Sequence, residues 1–335
     1  MRALAMCVLL LALPTGYGAG AQPLEKLTIA YASTAPGSDS TFLFAGQQLG
    51  FFKEQGLDVD IQSSGGAVAA AGFIASGTAD LGFGSVEAVP GYVLKGVPMK
   101  AIYTYSYRPI FKLAFIKGAK VQDIKGLKGA RVGLQSLASA SAIILQYELK
   151  EAGMSMNDVS LVPLGGGASA APAVKSGQVD ALMYHDTFYP ILAAAGIDVT
   201  FYSSPALERG FAGQGIYGLE KTLHDRRHAV EAFLRGLTKS LAYAKKDPEG
   251  ATRAFGQLVP EIAKNPELEK NAWLERAKIT YPIDGQWGKM DDTIWENLLD
   301  VLMLGGTIKE KPPLAKLYTT DFLQVANAVD LSKLP

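Results

Sequence analysis

The chain has 335 residues, and 32 Lys and Arg balance 32 Asp and Glu for a formal net charge of zero. At roughly 150 residues per domain this length predicts about two domains, and the even charge leaves no basic footprint for nucleic acid. The single cysteine, Cys7, excludes an internal disulfide framework and a cysteine-cluster metal site.

Residues 1–21 read as a secretory signal. Arg2 forms a short basic start, residues 7–13 are apolar, Pro14 and Gly16 break the run, and Ala19-Gly20-Ala21 offers the small residues a signal peptidase needs. The apolar run is far below the ~20 residues that span a bilayer, and Cys7 lies inside it, where lipid attachment is not expected. The predicted mature protein is exported to the periplasm and carries no cysteine.

The most informative feature is a unit that occurs twice. Residues 27–32 (LTIAYA) predict a buried strand, residues 33–40 a polar loop, residues 41–49 a helix, and residues 57–62 (LDVDIQ) a second strand with period-two alternation. Ser63-Ser64-Gly65-Gly66 then opens a small-residue helix, and Ser76-Gly77-Thr78-Ala79-Asp80 leads into a third strand at Leu81. About one hundred residues later the order returns. A strand at 130–134 precedes a Ser-rich loop at 135–141 and a helix at 142–152; a strand at 159–163 precedes Gly165-Gly166-Gly167 and a short helix. Ser176-Gly177-Gln178-Val179-Asp180 then enters a strand at Ala181. Strands alternating with helices predict parallel-dominated sheets, and two such units predict two similar α/β lobes with a ligand at the carboxyl ends of the strands.

Residues 101–117 (AIYTYSYRPIFKLAFIK) are β-rich, but Arg108-Pro109 interrupts them, and a proline cannot donate to a central ladder. They read as two strands joined by a crossover, with residues 201–218 as the return. The expected division is residues 22–106 plus 211–335 for the first lobe with its C-terminal helices, and 107–210 for the second. From Lys221 the pattern turns helical, with helices expected over 225–245, 248–259, 266–280, 290–304 and 319–329.

Several segments together resemble the periplasmic solute-binding proteins of ABC importers, in the NMT1/THI5-like and SsuA-like group that serves nitrate, sulfonates, taurine and thiamine precursors. They are GQQLGFFKEQGLDVDI (46–61), ASGTADLGFGS (75–85), DIKGLKGARVGL (123–134), KSGQVDALM (175–183) and WENLLDVLMLGGTI (295–308). The resemblance implies a two-lobed clamshell of type II hinged by two crossovers. It also implies one small ligand between the lobes, delivery to a membrane permease with its ATPase subunit, and no enzymatic activity. No cofactor or metal and a monomeric state complete that expectation. Some relatives of this architecture are enzymes that make a thiamine pyrimidine; they carry a cysteine-rich iron motif that is absent here.

Reversible capture calls for hydrogen-bond donors and aromatic faces rather than an activated nucleophile. The candidates in the first lobe are Thr34, Asp39, Ser40 and Phe42, then Ser64 and Gly65, then Ser85 and Val86. In the second lobe they are Ser136, Ser139, Ala140 and Ser141, then Gly166, and Tyr184, His185 and Asp186. Each serine could equally be an ordinary helix cap. At the crossovers Tyr105 and Phe211 could stack on a planar ligand, and Arg108 could clamp a carboxylate or sulfonate in two-pronged fashion. Arg108 and the serines make a small organic anion, a sulfonate or aromatic carboxylate, the expected ligand; Asp39 and Asp186 pull toward the alternative, an amine-bearing heterocycle such as a thiamine-precursor pyrimidine. The pair His224 and His228 has i,i+4 spacing but lacks a metalloprotease glutamate. Gly213–Gly218 matches GxGxxG by letter but sits in the expected return crossover rather than at a strand-to-helix turn.

Overall fold

The computed structural model describes residues 23–165 and 170–335; the segment read as a signal and Gly166 lie outside them. Ten strands form two five-stranded sheets. The first contains β1 (Glu25–Tyr31), β2 (Leu57–Ser63), β3 (Leu81–Ser85), β4 (Met99–Ser106) and β10 (Gln214–Leu219) in the order β2-β1-β3-β10-β4. The second contains β5 (Phe111–Ile116), β6 (Arg131–Leu134), β7 (Ser160–Pro163), β8 (Ala181–His185) and β9 (Val199–Tyr202) in the order β7-β6-β8-β5-β9. The two orders superimpose position for position. Each sheet is more mixed than the strand–helix alternation predicts: β1 pairs parallel with β2 and β3, and β6 with β7 and β8, but β10 and β5 run antiparallel to both neighbours. The reason is connectivity, because β5 and β10 are the strands that arrive from the opposite sheet through the crossovers, at 107–110 and 203–213.

The repeated Ser-Gly-x-x-Asp element does the same work in both sheets. Gly77 and Gly177 turn with φ of +74° and +69°, a left-handed conformation that suits glycine. Asp80 accepts the backbone N–H of Thr28 in β1, and Asp180 accepts that of Arg131 in β6, both at 2.8 Å; each residue stands just before its strand begins to pair with the third one. Each aspartate thereby ties the third strand of its unit to the first.

The expected C-terminal helices are present at Arg227–Lys246, Pro248–Leu258, Pro266–Ala277 and Asp292–Gly305. The one expected over 319–329 shrinks to Leu323–Ala326. Its leading residues are taken by the sheet: Ala101 N–H donates to Leu317 O at 2.8 Å and Thr319 N–H to Ala101 O at 3.0 Å, covering the exposed edge of β4. His224 and His228 fall on separate helices, Glu220–Asp225 and Arg227–Lys246, and Gly213–Gly218 is largely the strand β10. Among the described residues no helix is long and apolar enough to cross a membrane.

Candidate functional site

The carboxyl ends of the two sheets face one another across a groove, and their loops touch. Gln135 Nε2 donates to Ser33 Oγ at 2.9 Å and Thr34 Oγ1 at 3.3 Å, and Ser136 Oγ donates to Gly65 O at 2.7 Å. Val68 N–H donates to Ala138 O at 3.1 Å. The approach is close because Gly66 lacks a side chain: a Cβ there would lie 2.6 Å from Ala138 O, and its φ of +144° disfavours any other residue.

Beside these contacts lies a cavity of about 680 Å3, within the range of small-molecule sites. Ser33 and Asp39 line it from the loop after β1, Gln135 from the loop after β6, His185 and Thr187 from the end of β8, and Glu269 from the helix Pro266–Ala277. The Asp39 carboxylate accepts the Tyr31 hydroxyl at 3.0 and 2.9 Å and Ser40 Oγ at 3.1 Å, which fixes its direction. Glu269 accepts Ser38 Oγ, and burial pushes its carboxyl above the usual range. His185 bonds Thr187 Oγ1 through Nδ1 at 2.7 Å, and burial lowers its pKa, so it offers a neutral imidazole to the cavity.

Arg276 is the residue the sequence reading missed. It is fully buried, donates from Nε to both Asp186 oxygens at 3.0 Å and from Nη2 to Oδ1 at 2.6 Å, and reaches Asp39 O with Nη1 at 3.3 Å. Burial opposes its charge, but Asp186 outweighs that and the net shift is upward. One side chain from the C-terminal helices thus clasps the end of β8 to the loop after β1. The signal was present: Arg276 stands three residues after Trp273 and four after Ala272, on the helix's buried stripe.

Glu87 was missed as well. Two residues beyond β3, it is 1% exposed and neither carboxyl oxygen has a partner among the described residues. Burial pushes its pKa up to about 8, so it is mostly protonated at neutral pH. A lone acid inside the apolar run GFGSVEAVP was its only sequence mark.

The remaining candidates divide by location. Thr34, Asp39, Gly65, Ser136 and His185 meet at the groove. Ser64 Oγ donates to Tyr31 O at 2.8 Å, bracing its own loop. Ser139 caps the helix Ala140–Glu151, accepting Ser141 N–H at 3.2 Å, while Ser141 Oγ is buried without a partner among the described residues and Ala140 is buried beside it. Ser85 accepts Gln214 Nε2 at 2.6 Å, and Tyr105 donates to the same amide's oxygen at 3.5 Å. Phe42, Val86 and Phe211 are fully buried, and Phe42 packs against Phe83, Tyr105 and Trp273. Tyr184 donates to Gly165 O and packs on Phe188. Asp186 is committed to Arg276. Arg108 is exposed at the crossover and donates to Glu208 O at 3.1 Å and Glu208 Oε2 at 3.4 Å; it does not line the cavity.

The profile of the NMT1/THI5-like family matches residues 38–251. The chain belongs to that family. Its relatives include the formylaminopyrimidine-binding protein of Halalkalibacterium halodurans, 24% identical over 280 residues that cover 80% of this chain and 82% of the relative. They also include the 4-amino-5-hydroxymethyl-2-methylpyrimidine phosphate synthase THI13 of Saccharomyces cerevisiae, 26% identical over 247 residues, 66% of this chain and 67% of the enzyme. Among solved structures, a protein of Bordetella bronchiseptica matches with a TM-score of 0.78 at 21% identity, covering 90% of this chain and 96% of that one. The alkanesulfonate-binding protein SsuA of Xanthomonas axonopodis pv. citri matches with a TM-score of 0.68 at 16% identity, covering 91% and 98%. With the sheet orders above, these likenesses establish the two-lobed periplasmic-binding-protein clamshell, and fold and family together support a solute-binding role.

Proposed function

We propose that this NMT1/THI5-like protein is an extracytoplasmic receptor of an ABC importer, that it captures an amine-bearing heterocycle of the aminopyrimidine class between its lobes, and that it passes this ligand unaltered to a permease. The observation that carries the ligand class is the charge balance of the cleft. Asp39 and Glu269 present acidic oxygens to the cavity. Its one lysine, Lys264, pairs with Glu261 at 2.7 Å. Arg276 is neutralised by Asp186, and Arg108, on which an anionic ligand would depend, pairs with Glu208. An exocyclic amine can donate to Asp39, and the neutral His185 ring can exchange a hydrogen bond with a ring nitrogen. The names of the pyrimidine-related relatives support the same class.

A thermal-shift screen of the purified protein against formylaminopyrimidine, 4-amino-5-hydroxymethyl-2-methylpyrimidine, alkanesulfonates, taurine and nitrate tests this. Aminopyrimidines are expected to raise Tm and the anions to leave it unchanged. Asp39→Asn is expected to weaken aminopyrimidine binding by about tenfold or more, the loss of one charge-assisted hydrogen bond. A shift with sulfonates alone would overturn the ligand class. A new product by mass spectrometry after incubation would overturn the receptor in favour of an enzyme.

A further inference from the structure

A second cavity, of about 320 Å3, opens where the 107–110 crossover, the end of β9 and the helix Pro266–Ala277 meet. Its charges nearly cancel in pairs. Arg108 lies 3.4 Å from Glu208, Lys278 lies 2.5 Å from Glu275, and Asp186 is held by Arg276. Two lining groups of opposite sign are left over. Lys112 is exposed, its Nζ 5.2 Å above the Phe201 ring, and it makes no ion pair among the described residues. Glu148 is 1% exposed; its Oε1 accepts Ser204 N–H at 3.2 Å, while its Oε2 is buried without any partner among the described residues. Between the charged groups the wall is apolar, with Phe111, Leu207 and Ile279.

We propose that this cavity is a second binding site, separate from the cleft, that takes a small apolar α-amino acid with its ammonium on Glu148 and its carboxylate on Lys112. A buried acceptor with no donor is costly to maintain, and an ammonium is the group that satisfies it most fully. Burial holds the Glu148 pKa up to about 7, and an incoming cation would restore the carboxylate. The volume lies at the lower end of small-ligand sites, which limits the side chain to aliphatic size. The occupant would touch both the second sheet, through Lys112, and the helix that carries Arg276, through Ile279 just beyond its end. It would therefore favour the arrangement in which Arg276 holds Asp186, and would tighten binding in the cleft.

The test is calorimetric titration of the full chain with L-leucine, L-leucine methyl ester and N-acetyl-L-leucine, preceded by a thermal-shift screen of the common L-amino acids. The zwitterion is expected to bind and each blocked derivative to bind at least tenfold more weakly. Glu148→Gln, which keeps the side-chain size, and Lys112→Ala, at an exposed position, are each expected to lower leucine affinity at least tenfold. Asp39→Asn in the cleft should leave it unchanged. Absence of any amino-acid response overturns the proposal, as does binding that survives both Glu148→Gln and Lys112→Ala. Amino-acid binding lost in Asp39→Asn would assign the ligand to the cleft instead and equally overturn it.

Discussion

The two copies of the repeated unit agree up to the end of the third strand and then part. Asp80 and Asp180 make the same bond to the same place in their sheets. Five to seven residues later, Ser85-Val86-Glu87 stands where the second copy has His185-Asp186-Thr187. In the first copy the acid, Glu87, is buried and has no partner among the described residues; in the second the acid, Asp186, one position earlier in the unit, is buried and matched by Arg276. The shared part answers a requirement of the sheet, a partner for the amides of β1 and β6 that stand just before pairing with the third strand begins. The divergent part faces different neighbours: the C-terminal helices bring Arg276 to the second copy, and among the described residues no cation pairs with Glu87 in the first.

That contrast is most severely tested at the clasp. Arg276→Ala strands Asp186 in the interior and is expected to cost about 3–5 kcal/mol in chemical denaturation, whereas Arg276→Met with Asp186→Leu should recover most of the loss. A single substitution costing under about 1 kcal/mol would show that the pair is not desolvated as described.

Glu87 supplies the next largest effect, through pH. Its folded pKa, about 8, lies above the ordinary carboxyl value near 4.5, so the folded state binds more protons than the unfolded one across that interval. Its destabilising contribution is absent below about pH 4.5, grows as pH rises and is complete above about pH 8, on the order of a few kcal/mol. Glu148, with a folded pKa of about 7, adds in the same direction up to that pH. His185, kept neutral by burial, acts in the opposite sense and costs stability as pH falls below about 6.5. Glu87→Gln should flatten the fall in Tm between about pH 5 and pH 8; an unchanged profile would mean that Glu87 is solvated.

Gly66→Ala probes the touching loops without altering a polar group in the cavity. The added methyl meets Ala138 O across the groove, so ligand affinity measured by titration should fall by about tenfold, with a backbone-strain cost of ~1–3 kcal/mol. Equal affinity in the variant would mean that the loops need not touch for capture. The smallest effects are expected where the copies agree: Asp80→Asn and Asp180→Asn should each cost about 1–2 kcal/mol, and by similar amounts. A large inequality between them would break the equivalence of the two units.

Much of this architecture was legible in the residues alone. The order strand–loop–helix–strand, the two Ser-Gly-x-x-Asp turns, the crossover at Arg108-Pro109 and the long C-terminal helices follow from periodicity and from glycine and proline punctuation, which act over a few neighbouring positions. The loops that meet at the groove were legible for the same reason, since strand ends are local features. Which side chains face the ligand was not. Phe42 and Val86 went to the core, Arg108 to Glu208 and Asp186 to Arg276, partners 100 and 90 residues away. The antiparallel strand in each sheet and the edge pairing that shortened the last helix likewise depend on distant segments. The amino-acid order by itself determined the elements and their repetition, because backbone preferences are local. Only the tertiary structure decided which charges remain available to a ligand, because a charge is silenced by whichever partner the folded chain carries to it.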